Sequence, residues 1–341
     1  MSKRFREAAR NYASTMAFLF LTYGFYWGSG RFAHLFTGKH VFPAFDMALT
    51  TDAAFVAIIW TYAAVLPLYY AFERGESSAY RFFKGFLKRD FGEEWKKAGR
   101  SLALKAFFAP LMIGWTLSHA SQSVIGIERY FFSGNLDWNA LTTVPFFAFA
   151  FQAVLFADVF FFTAGYLLEA GILKNRIVSV DPTVSGWVVC LLCYPPFNGA
   201  TNTVLGWYSS DTPVLADSPS VTLVLNALVV SLMAFYAYAS VALGWKASNL
   251  TNRGIVAKGP YRWMRHPAYA AKNLAWWVGA VPALATAWGT SNFVFALASL
   301  SAWTFLYYLR AATEERHLLM ADNGYAEYAK AVPYRFVPGV W

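Results

Sequence analysis

The stretch Thr142–Leu168, TTVPFFAFAFQAVLFADVFFFTAGYLL, decides the fold. A run of roughly 20 apolar residues crosses the hydrocarbon core of a bilayer as a helix, because only a helix satisfies its backbone polar groups internally there. This stretch exceeds that length, which leaves it room to tilt or to overrun the membrane. Outward from it, comparable blocks occupy Ala13–Gly30, Ala53–Tyr70, Leu102–His119, Gly186–Trp207, Val221–Leu243, Tyr269–Ala287 and Phe293–Leu309. The expectation is an all-α, polytopic helical integral membrane protein with about eight transmembrane helices.

Composition agrees. Of 341 residues, 57% are hydrophobic, 19% aromatic and 14% charged, whereas a soluble domain carries about 25% charged residues. One water-soluble core cannot hide so much apolar surface. Lys and Arg concentrate at the N-terminus (Lys3, Arg4, Arg6, Arg10), along 73–100, at Lys174 and Arg176, and between Lys246 and Arg265; Ser209–Ser220 holds Asp211 and Asp217 and no base. An even number of spans puts every basic connection on one side, so both termini are expected in the cytoplasm. A basic cytoplasmic face meeting anionic headgroups accounts for the net charge of +9 without nucleic acid. The first apolar block lacks a cleavage site followed by a hydrophilic mature domain, so it reads as a first span rather than a signal peptide. The membrane is of bacterial inner-membrane or endoplasmic-reticulum type.

Between the blocks, Glu73–Arg100 carries Tyr80, Phe83, Phe86, Leu87 and Phe91 at helical spacing among bases, which predicts an interfacial amphipathic helix over 76–98. Cys190 and Cys193 share a helical face and read as small hydrophobes; no metal site is expected. Asp158 interrupts the central span, as an interhelical hydrogen-bond partner or as a site residue. In CYPPFNGATN, Cys193–Asn202, the prolines and Gly199 must break the helix. Broken helices survive at membrane depth only when packed in protein or lining a cavity, so Asn198 and Asn202 become candidates for a substrate cavity.

Charge returns in NRGIVAKGPYRWMRHPAYAAKNLAWW, Asn252–Trp277. Gly259-Pro260 makes a turn, and Pro267 suits the start of a helix. From there Tyr269, Lys272, Asn273 and Trp276 share one face. The last block runs into YYLRAATEERHLLMADNGYAEYAKAVPYRFVPGVW, Tyr307–Trp341, where Arg310 and Glu314 lie one turn apart and close enough to pair. Taken singly, Arg310 could snorkel and the acids could be solvated.

Together, G-P-Y-x-x-x-R-H-P-x-Y (Gly259, Pro260, Tyr261, Arg265, His266, Pro267, Tyr269), R-x-x-x-E-E-x-x-L (Arg310, Glu314, Glu315, Leu318), then Gly324, Tyr325, Tyr328, Val332 and Pro333 resemble the isoprenylcysteine carboxyl methyltransferases and their phospholipid methyltransferase relatives. The resemblance covers the C-terminal third. It implies a cytoplasm-facing pocket for S-adenosyl-L-methionine, with Lys258, Gly259, Tyr261, Arg265, His266, Tyr269, Glu315 and Leu318 on the cofactor and Arg310 and Glu314 at the junction with the acceptor. Asp158, Asn198, Asn273 and Trp276 are expected to meet a lipophilic acceptor that enters from the membrane lipids. In that scheme aromatics stabilise the sulfonium, His and loop N–H groups hold the carboxylate, and acids hold the ammonium. Residues 138–341 then form the catalytic core, and 1–137 are additional N-terminal helices. No obligate protein partner is evident. The ending VPYRFVPGVW is nearer the related sterol reductases, so an NADPH-dependent reductase of a sterol or polyprenoid is the second reading, and a non-catalytic lipid-binding or transport protein the third. No dinucleotide GxGxxG motif occurs.

Overall fold

A computed structural model describes residues 3–30, 32–134, 137–199, 213–321 and 323–340. Asn202, Asp211 and the part of the fifth expected span beyond 199 lie outside the described residues. The helices are α1 (Lys3–Gly28), α2 (Thr51–Phe72), α3 (Ser78–Lys88), α4 (Glu93–Ile127), the short α5 (Trp138–Leu141), α6 (Val144–Leu167), α7 (Val184–Leu191), α8 (Pro219–Leu243), α9 (Pro267–Gly279), α10 (Val281–Ala287), α11 (Ser291–Met320) and α12 (Tyr325–Ala331). Among the described residues, strand pairing is confined to two short antiparallel ladders, β1 (Lys39–Phe42) with β2 (Met47–Thr50), and β3 (Ser179–Val180) with β4 (Thr251–Asn252).

Five helices among the described residues are long and apolar enough to cross a membrane: Thr51–Phe72, Glu93–Phe132, Val144–Leu167, Pro219–Lys246 and Ser291–Met320. Three of the eight expected blocks fall outside that set, each for its own reason. The first does form one helix, α1, but its charge-free part, residues 11–28, mixes Asn11, Thr15, Thr22, three tyrosines and Trp27 with its apolar residues, which lowers its hydropathy. The fifth gives only α7 before turns begin ahead of Pro195 and Pro196. The seventh divides at Ala280 into α9 and α10, with Pro282 opening the second piece. Large outward side chains such as Trp60, Leu68, Val294 and Phe305 are exposed, as hydrocarbon-facing positions can be.

The interfacial segment also divides. Instead of one helix over 76–98, α3 ends at Lys88, Arg89 turns into the left-handed region at φ 55°, and Gly92 starts α4. Residues 93–98 thus belong to the spanning helix. The turn-back brings Trp95 onto Phe82, ring centroids 5.1 Å apart. Gly85 permits it: a Cβ there would stand 2.6 Å from Trp95 Cδ1 and 2.9 Å from the Asp90 carbonyl. On α3, Phe86 and Leu87 are exposed beside Lys84 and Lys88, an apolar and basic surface suited to a membrane interface.

α6 is central, packing against α4 on one side and α8 on the other, and α8 in turn meets α9. α1 and α2 pack together and reach α4 through a cluster of Phe36, Phe55, Ile59 and Ile113. Trp276, Trp303, Leu306 and Tyr307 join α9 to α11. The loop after α8 lies tight on α6: a Cβ at Gly165 would collide with the Ala247 carbonyl, at 2.0 Å. Buried Arg253 fastens that loop, donating through Nη2 to the Gly165 carbonyl (2.8 Å), through Nη1 to the Asn175 carbonyl and through Nε to Ser248 Oγ (2.8 Å). It caps a carbonyl that the end of α6 leaves without a helical partner.

Candidate functional site

These helices enclose one large cavity of about 670 Å³, within the range of small-molecule sites. Its wall takes residues from α4, α6, the turn after α7, α8, the 246–269 loop, α9, α11 and the C-terminal segment. It therefore crosses the expected boundary at residue 137: Met112, Trp115, Ser118 and His119 of α4 are on it.

Beside the cavity stands Glu315, which is 7% exposed. Its Oε1 accepts from Arg265 Nε (2.7 Å) and lies 3.1 Å from His266 Nε2, while Oε2 accepts from Arg335 Nη2 (2.6 Å) and Nε (3.2 Å). Arg265 also donates to the Val332 and Pro333 carbonyls, and the backbone N–H groups of Arg265 and His266 donate to the Tyr334 and Arg335 carbonyls. The 259–269 loop, α11 and the tail are thereby clasped together. Burial pushes the Tyr328 hydroxyl up to about 12; it stays protonated and donates to the Tyr261 carbonyl at 2.7 Å.

Deeper in, Arg310 is 3% exposed. Its Cζ lies 4.9, 5.1 and 5.6 Å from the ring centroids of Tyr269, Tyr307 and Tyr194. Nη2 donates to Asn249 Oδ1 at 3.1 Å, and Asn249 is fixed by donating through its backbone N and Nδ2 to the buried Tyr166 hydroxyl. The expected Arg310–Glu314 pair does not form: among the described residues no carboxylate lies within 4 Å of Arg310. The i, i+4 spacing brings the two backbones together, yet the guanidinium is drawn onto three ring faces. Glu314 turns instead to the Tyr269 hydroxyl, with His266 Nδ1 at 3.8 Å. Arg310 is a buried cation on a cavity wall, balanced by rings and an amide.

The other expected residues divide. Tyr261, Arg265, His266, Tyr269, Glu314, Leu318, Asp158, Asn198 and Trp276 all line the cavity with Arg310. Asp158 is an interhelical hydrogen-bond partner, accepting from Tyr236 (2.8 Å) and Ser240 of α8, and it also lines the wall. Glu315 sits behind His266 rather than on the cavity wall. Lys258 and Gly259 are off the wall as well, because Gly259 packs toward Ala242 and Tyr238 of α8. Asn273 is off the wall too: its amide donates back to the Tyr269 carbonyl on its own helix, and its neighbour Lys272 lines the cavity, 5.5 Å from the rings of Tyr236 and Trp276. His266, expected at a ligand carboxylate, stands among carboxylates of the chain itself. Both ring nitrogens face Glu314 and Glu315, and its backbone N–H is used by the tail. Tyr194, Tyr236, Asn249 and His119 were not among the sequence candidates; Pro195 and Pro196, next to Tyr194, were the one local signal near any of them.

Fold and cavity together define a polytopic helical membrane protein with a polar, aromatic-walled site reaching into the bundle. Residues 220–320, which run from α8 to the end of α11, match the model of the isoprenylcysteine carboxyl methyltransferase (ICMT) family. No curated protein matches the chain.

Proposed function

We propose that the protein is an S-adenosylmethionine-dependent methyltransferase acting on a lipophilic acceptor with an anionic oxygen, from a site facing the cytoplasm. The observation that carries this reading is Arg310, a buried cation on the cavity wall without a carboxylate partner among the described residues, within the region matching the methyltransferase family.

The lining chemistry fits the cofactor. The rings of Tyr261, Tyr269, Tyr325 and Tyr328 line the cavity and suit a sulfonium. Asp181 is a lining carboxylate able to meet an ammonium, and Lys272 is a lining cation able to meet a carboxylate. S-adenosylmethionine supplies an electrophilic methyl group when bound. Arg310 would hold the acceptor anion, and Glu314, tied to Tyr269 beside His266, would keep the two halves of the site in register. An anionic nucleophile needs no general base. What the protein contributes is alignment and exclusion of water, which the tail and the aromatic walls favour.

The test is calorimetry of detergent-purified protein with S-adenosylhomocysteine and, separately, NADPH. Binding of S-adenosylhomocysteine alone, with a rise in melting temperature by mass action, is expected. Binding of NADPH alone would overturn the reading in favour of the reductase.

A further inference from the structure

The cavity does not end at Arg310. It passes Tyr194, whose ring lies 5.8 Å from that of Trp115, and continues between α4 and α6 to Ser118, His119 and Gln152. His119 stands one turn beyond Trp115 on α4. Gln152 precedes Asp158 on α6 by about 9 Å of helix rise, with the apolar Leu155 on the wall between them. His119 Nδ1 and Gln152 Oε1 are 2.6 Å apart. When Nδ1 carries the proton and donates, the Gln152 amide has its oxygen engaged and keeps two N–H donors.

Polar side chains at spanning depth are costly and mark pathways or sites. Joining α4 to α6 does not require this pair, because Thr116 and Thr163 already bridge the two helices at 2.7 Å and are not on the cavity wall. The same two helices thus carry a polar bridge off the cavity and another on it. We propose that His119 and Gln152 form a second, uncharged subsite that selects acceptors bearing a hydroxyl or carbonyl oxygen at the end opposite the group held by Arg310. His119 is the positioning residue and Gln152 the donor. The acceptor so described is a lipophile with polar functions at both ends and an apolar middle. The inference rests on reading Arg310 as the anion site, and it gives α4, outside the family-matched region, a direct part in specificity.

The test compares decanoic acid with 10-hydroxydecanoic acid as probes, by calorimetry on the full purified chain. Wild type should bind the hydroxylated acid about tenfold more tightly, the worth of one satisfied buried hydrogen bond. Gln152→Leu, close in size, should erase that preference and leave S-adenosylhomocysteine affinity unchanged. Thr163→Val, on the off-cavity bridge, should keep it. Equal binding of the two acids by wild type, binding of neither, or a preference surviving in Gln152→Leu overturns the proposal. Absence of S-adenosylhomocysteine binding with the preference intact would instead remove the methyltransferase reading and leave the subsite standing.

Discussion

Two arginine sites anchored five residues apart on α11, at Arg310 and at Glu315, solve opposite problems. Behind the cavity wall, the buried carboxylate of Glu315 is surrounded by Arg265, His266 and Arg335. In the interior, Arg310 is more deeply buried and has rings and the Asn249 oxygen in place of a counter-charge. A buried charge whose partners are all supplied by the chain holds the fold together; breaking it strands the remaining charges. A buried cation whose chain partners are only dipoles and quadrupoles keeps attraction to spare for an anion from outside. The consecutive acids of the E-E motif fall on either side of this division: Glu315 serves the clasp, while Glu314 faces the cavity.

The largest effect should come from the clasp. Glu315→Gln leaves Arg265 and Arg335 without their charged partner, at a cost of about 3–5 kcal/mol, read as a fall in unfolding free energy. S-adenosylhomocysteine binding should be lost in parallel, because the tail is released. A variant that unfolds like wild type breaks the comparison at its root.

Arg310→Met should do the reverse. Methionine approximates the length of the side chain and removes a buried charge whose desolvation no carboxylate offsets, so stability should stay within about 1 kcal/mol of wild type or rise. Activity should fall at least about a hundredfold, as when one preorganised charge-stabilising donor is removed. Loss of stability comparable to that of Glu315→Gln would put Arg310 among the structural charges.

Glu314→Gln tests the other half of the division. If Glu314 works at the junction with the acceptor, kcat should drop roughly tenfold to a hundredfold with cofactor affinity nearly kept, the mark of an interaction made mainly in the transition state. Equal loss of S-adenosylhomocysteine affinity would assign Glu314 to the cofactor.

Why one side of this comparison was easier to read than the other has a physical explanation. Gly259 to Tyr269 and Arg310 to Leu318 are strung along the chain at fixed intervals, so their order alone points to a site. The membrane class was equally legible, since apolar block length follows bilayer thickness. What the interior required was tertiary. Tyr194 and Asn249 meet Arg310 only because the turn after α7 and the loop after α8 fold over α6. A lone Tyr or His in an apolar helix carries no spacing that announces its partner. The Arg310–Glu314 pair failed for a related reason: i, i+4 spacing fixes where Cβ atoms stand, while burial among rings decides where the guanidinium goes. The expected helix over 76–98 missed the stacking of Trp95 on Phe82, a contact between segments that forces the turn.

The smallest expected effect is the most discriminating about the tail. Tyr328 places its ring on the cavity wall and its hydroxyl on the Tyr261 carbonyl, so it spans clasp and pocket. Tyr328→Phe keeps the ring and removes a single neutral hydrogen bond, worth about 1 kcal/mol. If the tail only braces the fold, that loss should appear in unfolding and leave ligand kinetics alone. If the tail also closes the cavity over the cofactor, the weakened latch should let S-adenosylhomocysteine leave a few-fold faster, with association and kcat nearly unchanged, since affinity differences among variants of one site fall mostly on dissociation. Stopped-flow displacement beside an unfolding titration separates the two. An unchanged dissociation rate with the full stability loss would confine Tyr328 to bracing, and closure would then rest on the Arg335–Glu315 ion pair.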